Sequence, residues 1–541
     1  MKRSTKKRLI VSAVVMLVLA GCSNGKSAAK EAKQQILHVG IGSELSTADV
    51  SLAMDNTACA VMSQIGEGLF TFDEEGGAAP AIAVDKVEPT NNGLTYTFKL
   101  RSEAQWSNGE PITAKDFEYS WKRTVDPKTA SPQAYYFEGL KNYKEIAAGI
   151  KDKEALGVQA MDEHTLQVNL AYPMNYFQQL LAVPAFFPLN QAFVEKAGKE
   201  YGTNAENTLY NGPFTLKDWD GTNTAWQYVK NKNYWDQKAV QLDKVKVQVV
   251  KEVATSKNLF DDQQLDFVQI SGDIVAQEQA NSALKIRTMP GTYYIQLNTQ
   301  KELFANLNAR KAIALTLDSE KLAQNVLNDG SKKALGFVPT GFKNQANDQD
   351  FAEEVGDINP TDEKQAAELW KTAKKELGID KATVTILCSD TDNAKKISEY
   401  LQGALNEVLN GLTVNVSAVP FNNRLEKSRS GDFDIVLGGW TPVYADPVDF
   451  LNLLQSNNSN NFGKWSNPQY DQLLKDANET YANDYQQRWQ SLQKADLLVA
   501  AEAPLIPLYQ ITEAYLVNER VQGLTFGPLG SIEFKHVSMK E

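Results

Sequence analysis

Little in this 541-residue chain could make or break a covalent bond. Its three histidines, His38, His164 and His536, stand far apart, and none has a His or Cys neighbour at the spacing that zinc ligation needs. No Gly-x-Ser-x-Gly turn occurs to present a hydrolase nucleophile. Gly21 to Ser27 approaches a phosphate-cradling loop but is one residue short of it. Asp390-Thr391-Asp392-Asn393 begins like a calcium loop, yet it lacks the glycine and has Leu401 where a bidentate acid belongs. One residue does stand in a reactive context: Cys22 closes Leu19-Ala20-Gly21-Cys22, which has the form of a bacterial lipobox. Small residues there fit a signal peptidase, and the thiol takes a diacylglyceryl group before cleavage. Acyl chains anchor a protein at ~0.8 kcal/mol per buried CH₂. Neither an enzyme nor a cofactor or metal is expected.

Without bond chemistry, the residues to weigh are those that could hold a ligand. Phe433 to Leu454, FDIVLGGWTPVYADPVDFLNLL, is the most informative stretch. Asp434-Ile435-Val436-Leu437 reads as a buried strand, and Gly438-Gly439 at its end allow another backbone to come close. Trp440, Pro442 and Tyr444 form an aromatic turn, and Asp446-Pro447-Val448-Asp449 reads as a helix start with an aspartate cap. Strand, open backbone, aromatic wall and helix start together suit an extended peptide added as a strand.

The surrounding chain must supply a scaffold. It is too long for one core, and 42% hydrophobic with 23% charged residues is the balance of a soluble globular protein. A net charge of −12, with basic residues dense only in the first eight positions, counts against a nucleic-acid partner. Lys2 to Arg8 precede the apolar run Leu9 to Ala20, too short to span a bilayer but right for a secretory signal. Residues 22–35 then read as a flexible tether. From Ile36 the pattern is mixed α/β: LTYTFKL at Leu94 to Leu100 and the run His164 to Leu170 alternate as half-exposed strands, whereas Glu363 to Leu377 and Tyr485 to Leu498 have helical spacing. Cys59 and Cys388 could pair if the fold brings them together, but two free buried thiols are the expectation.

Several stretches, in this order, resemble the family 5 extracellular solute-binding proteins, the peptide-binding lipoproteins of ABC importers. They are EGLFTFDEEGG from Glu67, FKLRSEAQWSNGEPITAKDFEYSWKR from Phe98, NGPFTL from Asn211, KNKNYWD from Lys230, RKAIALTLD from Arg310 and FDIVLGGWTPVYADP from Phe433. The resemblance implies a two-lobed, periplasmic-binding-protein-like α/β fold of the class II type, with a hinge of two connecting strands. It implies a signal peptide at 1–21, domain I in three parts (36–66, 210–297 and 511–541), domain II at 67–209 and domain III at 298–510. It also implies an oligopeptide ligand, an ABC permease as partner, and a monomer held at the outer face of the cytoplasmic membrane by a lipid on Cys22.

Carried over residue by residue, the resemblance places Gly438, Gly439 and Trp440 against the peptide backbone, with Phe421 and one of Tyr293 and Tyr294 as cleft walls. Tyr136 and Asn56, the latter read as part of an early strand, complete the set. One departure matters. Peptide-binding members carry Trp-x-x-Asp-Tyr, whose aspartate holds the ligand ammonium, and this chain has Val443 at that position. Either Asp446 takes over that role, or the amine stays hydrated, or the ligand is held elsewhere along its length. An apolar cleft would suit hydrophobic peptides, including the signalling peptides that some Gram-positive relatives capture. A nickel-chelate or haem ligand is the alternative class within the family.

Overall fold

The computed structural model describes residues 34–73, 76–344, 347–456, 458–527 and 532–540. The expected signal peptide, Cys22 and nearly all of the expected tether lie outside the described residues. Ten strands make the path of one mixed sheet: β1 (Ile36–Ile41), β2 (Phe214–Lys217), β3 (Ala225–Lys230), β4 (Lys244–Val249), β5 (Phe267–Ile270), β6 (Leu284–Leu297), β7 (Ala382–Ser389), β8 (Leu412–Val419), β9 (Ile435–Trp440) and β10 (Leu505–Val517). Their order is β8-β7-β9-β6-β10-β5-β1-β4-β3-β2, with Lys332–Lys333 paired onto β10 as an eleventh strand.

Two long strands connect the halves of this sheet. β6 borders β9 on one side and β10 on the other, and β10 continues to β5. Their ladder shifts register between Thr288 and Thr292, where Pro290 has no N–H to give and Gly291 has no side chain to pack. A second shift follows between Tyr293 and Tyr294.

Among the described residues, three large apolar clusters and two smaller ones fill the fold. One lies under β1 to β4 with helix α1 (Asn56–Ile65), and a second packs helices around β7, β9 and the adjoining half of β6. The third runs from the insertion after Glu67 into the region around Phe337 and Tyr444 to Leu505. It is continuous because Tyr176 of the insertion stacks on Tyr444 at 4.4 Å, a ring contact of about 0.5–1.5 kcal/mol beyond its buried area. Within the insertion, the alternating strands expected from the sequence form Thr95–Lys99 and Thr165–Asn169, paired antiparallel.

Four of the stretches that carried the family resemblance build joints. Glu67 is buried and its two carboxylate oxygens accept from Tyr234 Oη at 2.5 Å and Trp235 Nε1 at 2.6 Å. Asn211 clasps the same residue, accepting from its N–H at 3.1 Å and donating to its carbonyl at 2.8 Å. Three separate motifs thereby close on one point at the root of the insertion. Arg310 is likewise buried, tied to Glu502 and to the carbonyls of Phe304 and Ala305. Among the described residues no helix is long and apolar enough to cross a membrane.

Candidate functional site

β9 leaves part of its backbone open. On its inner edge it pairs with β6 from Leu297↔Ile435 to Thr292↔Trp440, but on its outer edge β7 meets it at Ile435 and Val436. Asn298 N donates to Asp434 O, so by strand alternation Val436, Gly438 and Trp440 turn their backbone groups toward β6. Leu437 and Gly439 turn theirs outward. Gly439, beyond the reach of β7, therefore presents N–H and C=O on the open edge. Its lack of a side chain is required from the other face, because a Cβ there would come within 2.6 Å of the Tyr293 ring.

Alternation also sorts the predicted wall residues. Tyr294 and Thr292 oppose Gly438 and Trp440 and share their face, and Tyr294 meets Phe337 edge-on at 5.6 Å. Tyr293 points to the opposite face and stacks on Tyr509 at 5.2 Å. Only one tyrosine can share the face of Trp440, and the structure makes it Tyr294. Phe421 opens helix α2 (Phe421–Ser430) and is 50% exposed, with the Arg424 guanidinium 5.1 Å from its ring. Asn56 is the first residue of α1 and exposed, so its expected place in a strand is corrected: Asp55 accepts from Ala58 N and caps the helix there.

The turn after β9 is organised by an acid not singled out as a site residue from the sequence. Asp449, on the short helix α3 (Val448–Leu451), accepts from Trp440 Nε1 at 2.9 Å and from Val443 N at 3.0 Å with one oxygen. Burial, with Asp446 nearby, pushes its carboxyl up to about 7 against these two hydrogen bonds. From the insertion after Glu67 come Tyr135 and Tyr136, their rings 4.2 Å apart. Burial is the main cause that raises the pKa of both hydroxyls, with the charge of Asp449 adding to it.

Asp446 sits behind this turn. Both its oxygens are held by Arg488 of helix α4 (Tyr485–Glu502), at 2.8 and 2.9 Å, and one also accepts from Val448 N at 2.9 Å. The guanidinium lies 5.8 Å from the Tyr176 ring, and Ala445 N donates to Gln179 Oε1 at 3.0 Å, so the turn is fastened to the insertion as well. Arg488, Gln179 and Tyr135 carried no sequence signal, since each meets the site across a long stretch of chain. Asp449 was legible as an early helical acid but not as the residue that orients Trp440.

Residues 77–462 match the model of the bacterial extracellular solute-binding proteins, family 5 Middle. The dipeptide-binding protein of Lactococcus lactis subsp. cremoris is 34% identical over 490 residues, 88% of each chain. Among solved structures, OppA of Listeria monocytogenes bound to peptide is 39% identical with a TM-score of 0.86, covering 94% of this chain and 99% of its own. The pheromone receptor PrgZ, described with its mode of peptide binding, is 36% identical with a TM-score of 0.87 and covers 94% of this chain and 100% of its own. With more than two thirds of its length matched by the family model, this chain belongs to the bacterial extracellular solute-binding proteins of family 5.

Proposed function

We propose that this protein captures oligopeptides in extended form along the open edge of β9 and delivers them to an ABC permease, without chemistry of its own. The observation that carries this reading is Gly439, whose backbone groups face outward where β7 has ended, with Trp440 and Tyr294 beside it on one face. A peptide laid there gains main-chain hydrogen bonds whatever its sequence, which is how a transport protein accepts many ligands. The site residues of this reading are Gly438, Gly439, Trp440, Val443, Phe421, Tyr294 and Tyr136, with Tyr293 and Asp446 supporting them from behind and Asn56 at the rim. The protein acts as a monomer, held at the cell surface through a lipid on Cys22.

Hydrophobic peptides are the preferred class in this reading. Leu52, Met54 and Phe421 are 40%, 39% and 50% exposed, and Arg429 Nη2 lies 4.0 Å from Met54 Sδ, which brings the Leu52 to Asn56 segment beside α2. An apolar lip of this kind also favours a second reading, a dedicated receptor for an apolar signalling peptide. Mass spectrometry of ligand released from the purified, denatured protein tests both. A spread of apolar peptides is expected; one defined sequence would select the receptor reading, and a metal chelate or porphyrin would overturn the peptide reading.

Val443 leads to a second expectation. Without a carboxylate at that position, and with Asp446 engaged by Arg488, free and N-acetylated forms of one apolar peptide should differ by less than about tenfold, roughly 1.4 kcal/mol. Calorimetry with the two forms measures it. A hundredfold preference for the free amine would assign the ammonium to Asp449, whose carboxyl lies next to Val443 N.

A further inference from the structure

Three arginines are buried among the described residues, Arg310, Arg424 and Arg488, at 5%, 8% and 3% exposure. Arg310 has Glu502 and Arg488 has Asp446. Arg424 forms no ion pair among the described residues. Its Nε has no hydrogen-bond partner, and Nη1 reaches the Leu437 carbonyl at a long 3.4 Å. Around it stand the Phe421 ring at 5.1 Å and the phenols of Tyr293 and Tyr294, none of which carries a negative charge at neutral pH. Burial pulls its pKa below the usual arginine value, yet a guanidinium stays charged, so the site holds an uncompensated cation.

The position of that cation gives it a use. Leu437 O points to the outer edge of β9, and Nη1 lies 3.5 Å from where a Gly438 side chain would begin. The guanidinium is therefore beside the same open edge on which Gly439 offers its backbone, and a strand laid along that edge passes within its reach. Buried cations are retained when something anionic completes them, and the planar fork of arginine matches a carboxylate with two parallel N–H donors.

We propose that Arg424 is the receptor for a carboxylate of the bound peptide, either its C-terminus or an acidic side chain. This assignment rests on the peptide-binding reading and adds what that reading lacks, a fixed charge that sets the ligand's position along β9. Apolar contacts from Phe421 and Trp440 leave the lengthwise position of a peptide free, whereas one desolvated ion pair pins it.

Calorimetry on the full protein with the tetrapeptide Leu-Val-Ala-Leu tests this, using its free acid, its C-terminal amide, and amides with glutamate placed at each position in turn. The wild type should bind the free acid, or one glutamate amide, at least thirtyfold more tightly than the plain amide. In Arg424→Met that preference should fall below threefold, while affinity for the plain amide changes less than threefold. The melting temperature of ligand-free Arg424→Met should be equal to or above that of the wild type, because an unpaired charge has been removed from the interior. Preference for the free acid identifies the terminus as the source, and preference for one glutamate amide identifies a side chain. Indifference of the wild type to every carboxylate would overturn the proposal. So would an equal loss for acid and amide in Arg424→Met with a lowered melting temperature, which marks a packing role. Should no version bind the wild type, the peptide reading itself fails and this proposal with it.

Discussion

Asp446→Asn is expected to destabilise the protein by about 3–5 kcal/mol, since it leaves the Arg488 guanidinium buried without its counter-charge. The pair is bidentate, with both partners more than nine-tenths buried and Arg488 resting over Tyr176 of the insertion. Arg488→Met should cost a similar amount by stranding the carboxylate. The double variant Asp446→Asn/Arg488→Met should recover much of the loss, because the penalty lies in the unpaired charge more than in the missing attraction. Thermal and urea denaturation of the three variants measure this. The same set decides what Asp446 does for a ligand: an unchanged melting temperature together with weakened peptide binding would make it a ligand group and not a brace.

Asp496→Asn should act in the opposite direction, stabilising the protein by about 2–4 kcal/mol at pH 8. Asp496 lies on α4, 1% exposed, with one oxygen accepting from Phe337 N at 3.2 Å and the other without a hydrogen-bond partner. Burial pushes its carboxyl up to about 7, with only backbone hydrogen bonds opposing. The folded state therefore keeps a proton that the unfolded chain, at an ordinary aspartate value of about 3.9, gives up. Stability from this group is full below about pH 4 and is lost as the pH rises toward 7. Asparagine has no charge to bury and keeps the acceptor for Phe337 N, so the variant should lose that slope. Chemical denaturation from pH 4 to pH 8 reads it directly: parallel profiles for the two proteins would mean that Asp496 is ionised at little cost in the fold.

Glu67, Asn211, Tyr234 and Arg310 belong to the stretches by which the family is recognised, and all of them are structural. Each is a buried polar group whose partners lie far away in sequence, and a buried polar group tolerates few replacements because any mismatch leaves a donor or acceptor unsatisfied. Recognition of the family therefore rested on its joints together with the β9 stretch from Phe433, whose edge residues that would meet a ligand are glycines and apolar side chains.

What the sequence determined by itself is whatever depends on short-range pattern. The apolar run Ile435 to Leu437 dictated a strand, the glycines after it an open backbone, and the alternation at Leu94 to Leu100 a half-exposed strand; each follows from the two-residue period of a pleated chain. What only the tertiary structure decided is the company of each polar group. Asp446 and Asp449 are three residues apart and read alike as helix-start acids, yet one faces an arginine from α4 and the other an indole and a backbone N–H. Arg424 reads as an ordinary basic residue on a polar helix, and only the packing of α2 against β9 removes it from water without giving it an acid. Charge and burial are properties of neighbourhoods, and the neighbourhoods here are assembled from segments that the chain brings together over hundreds of residues.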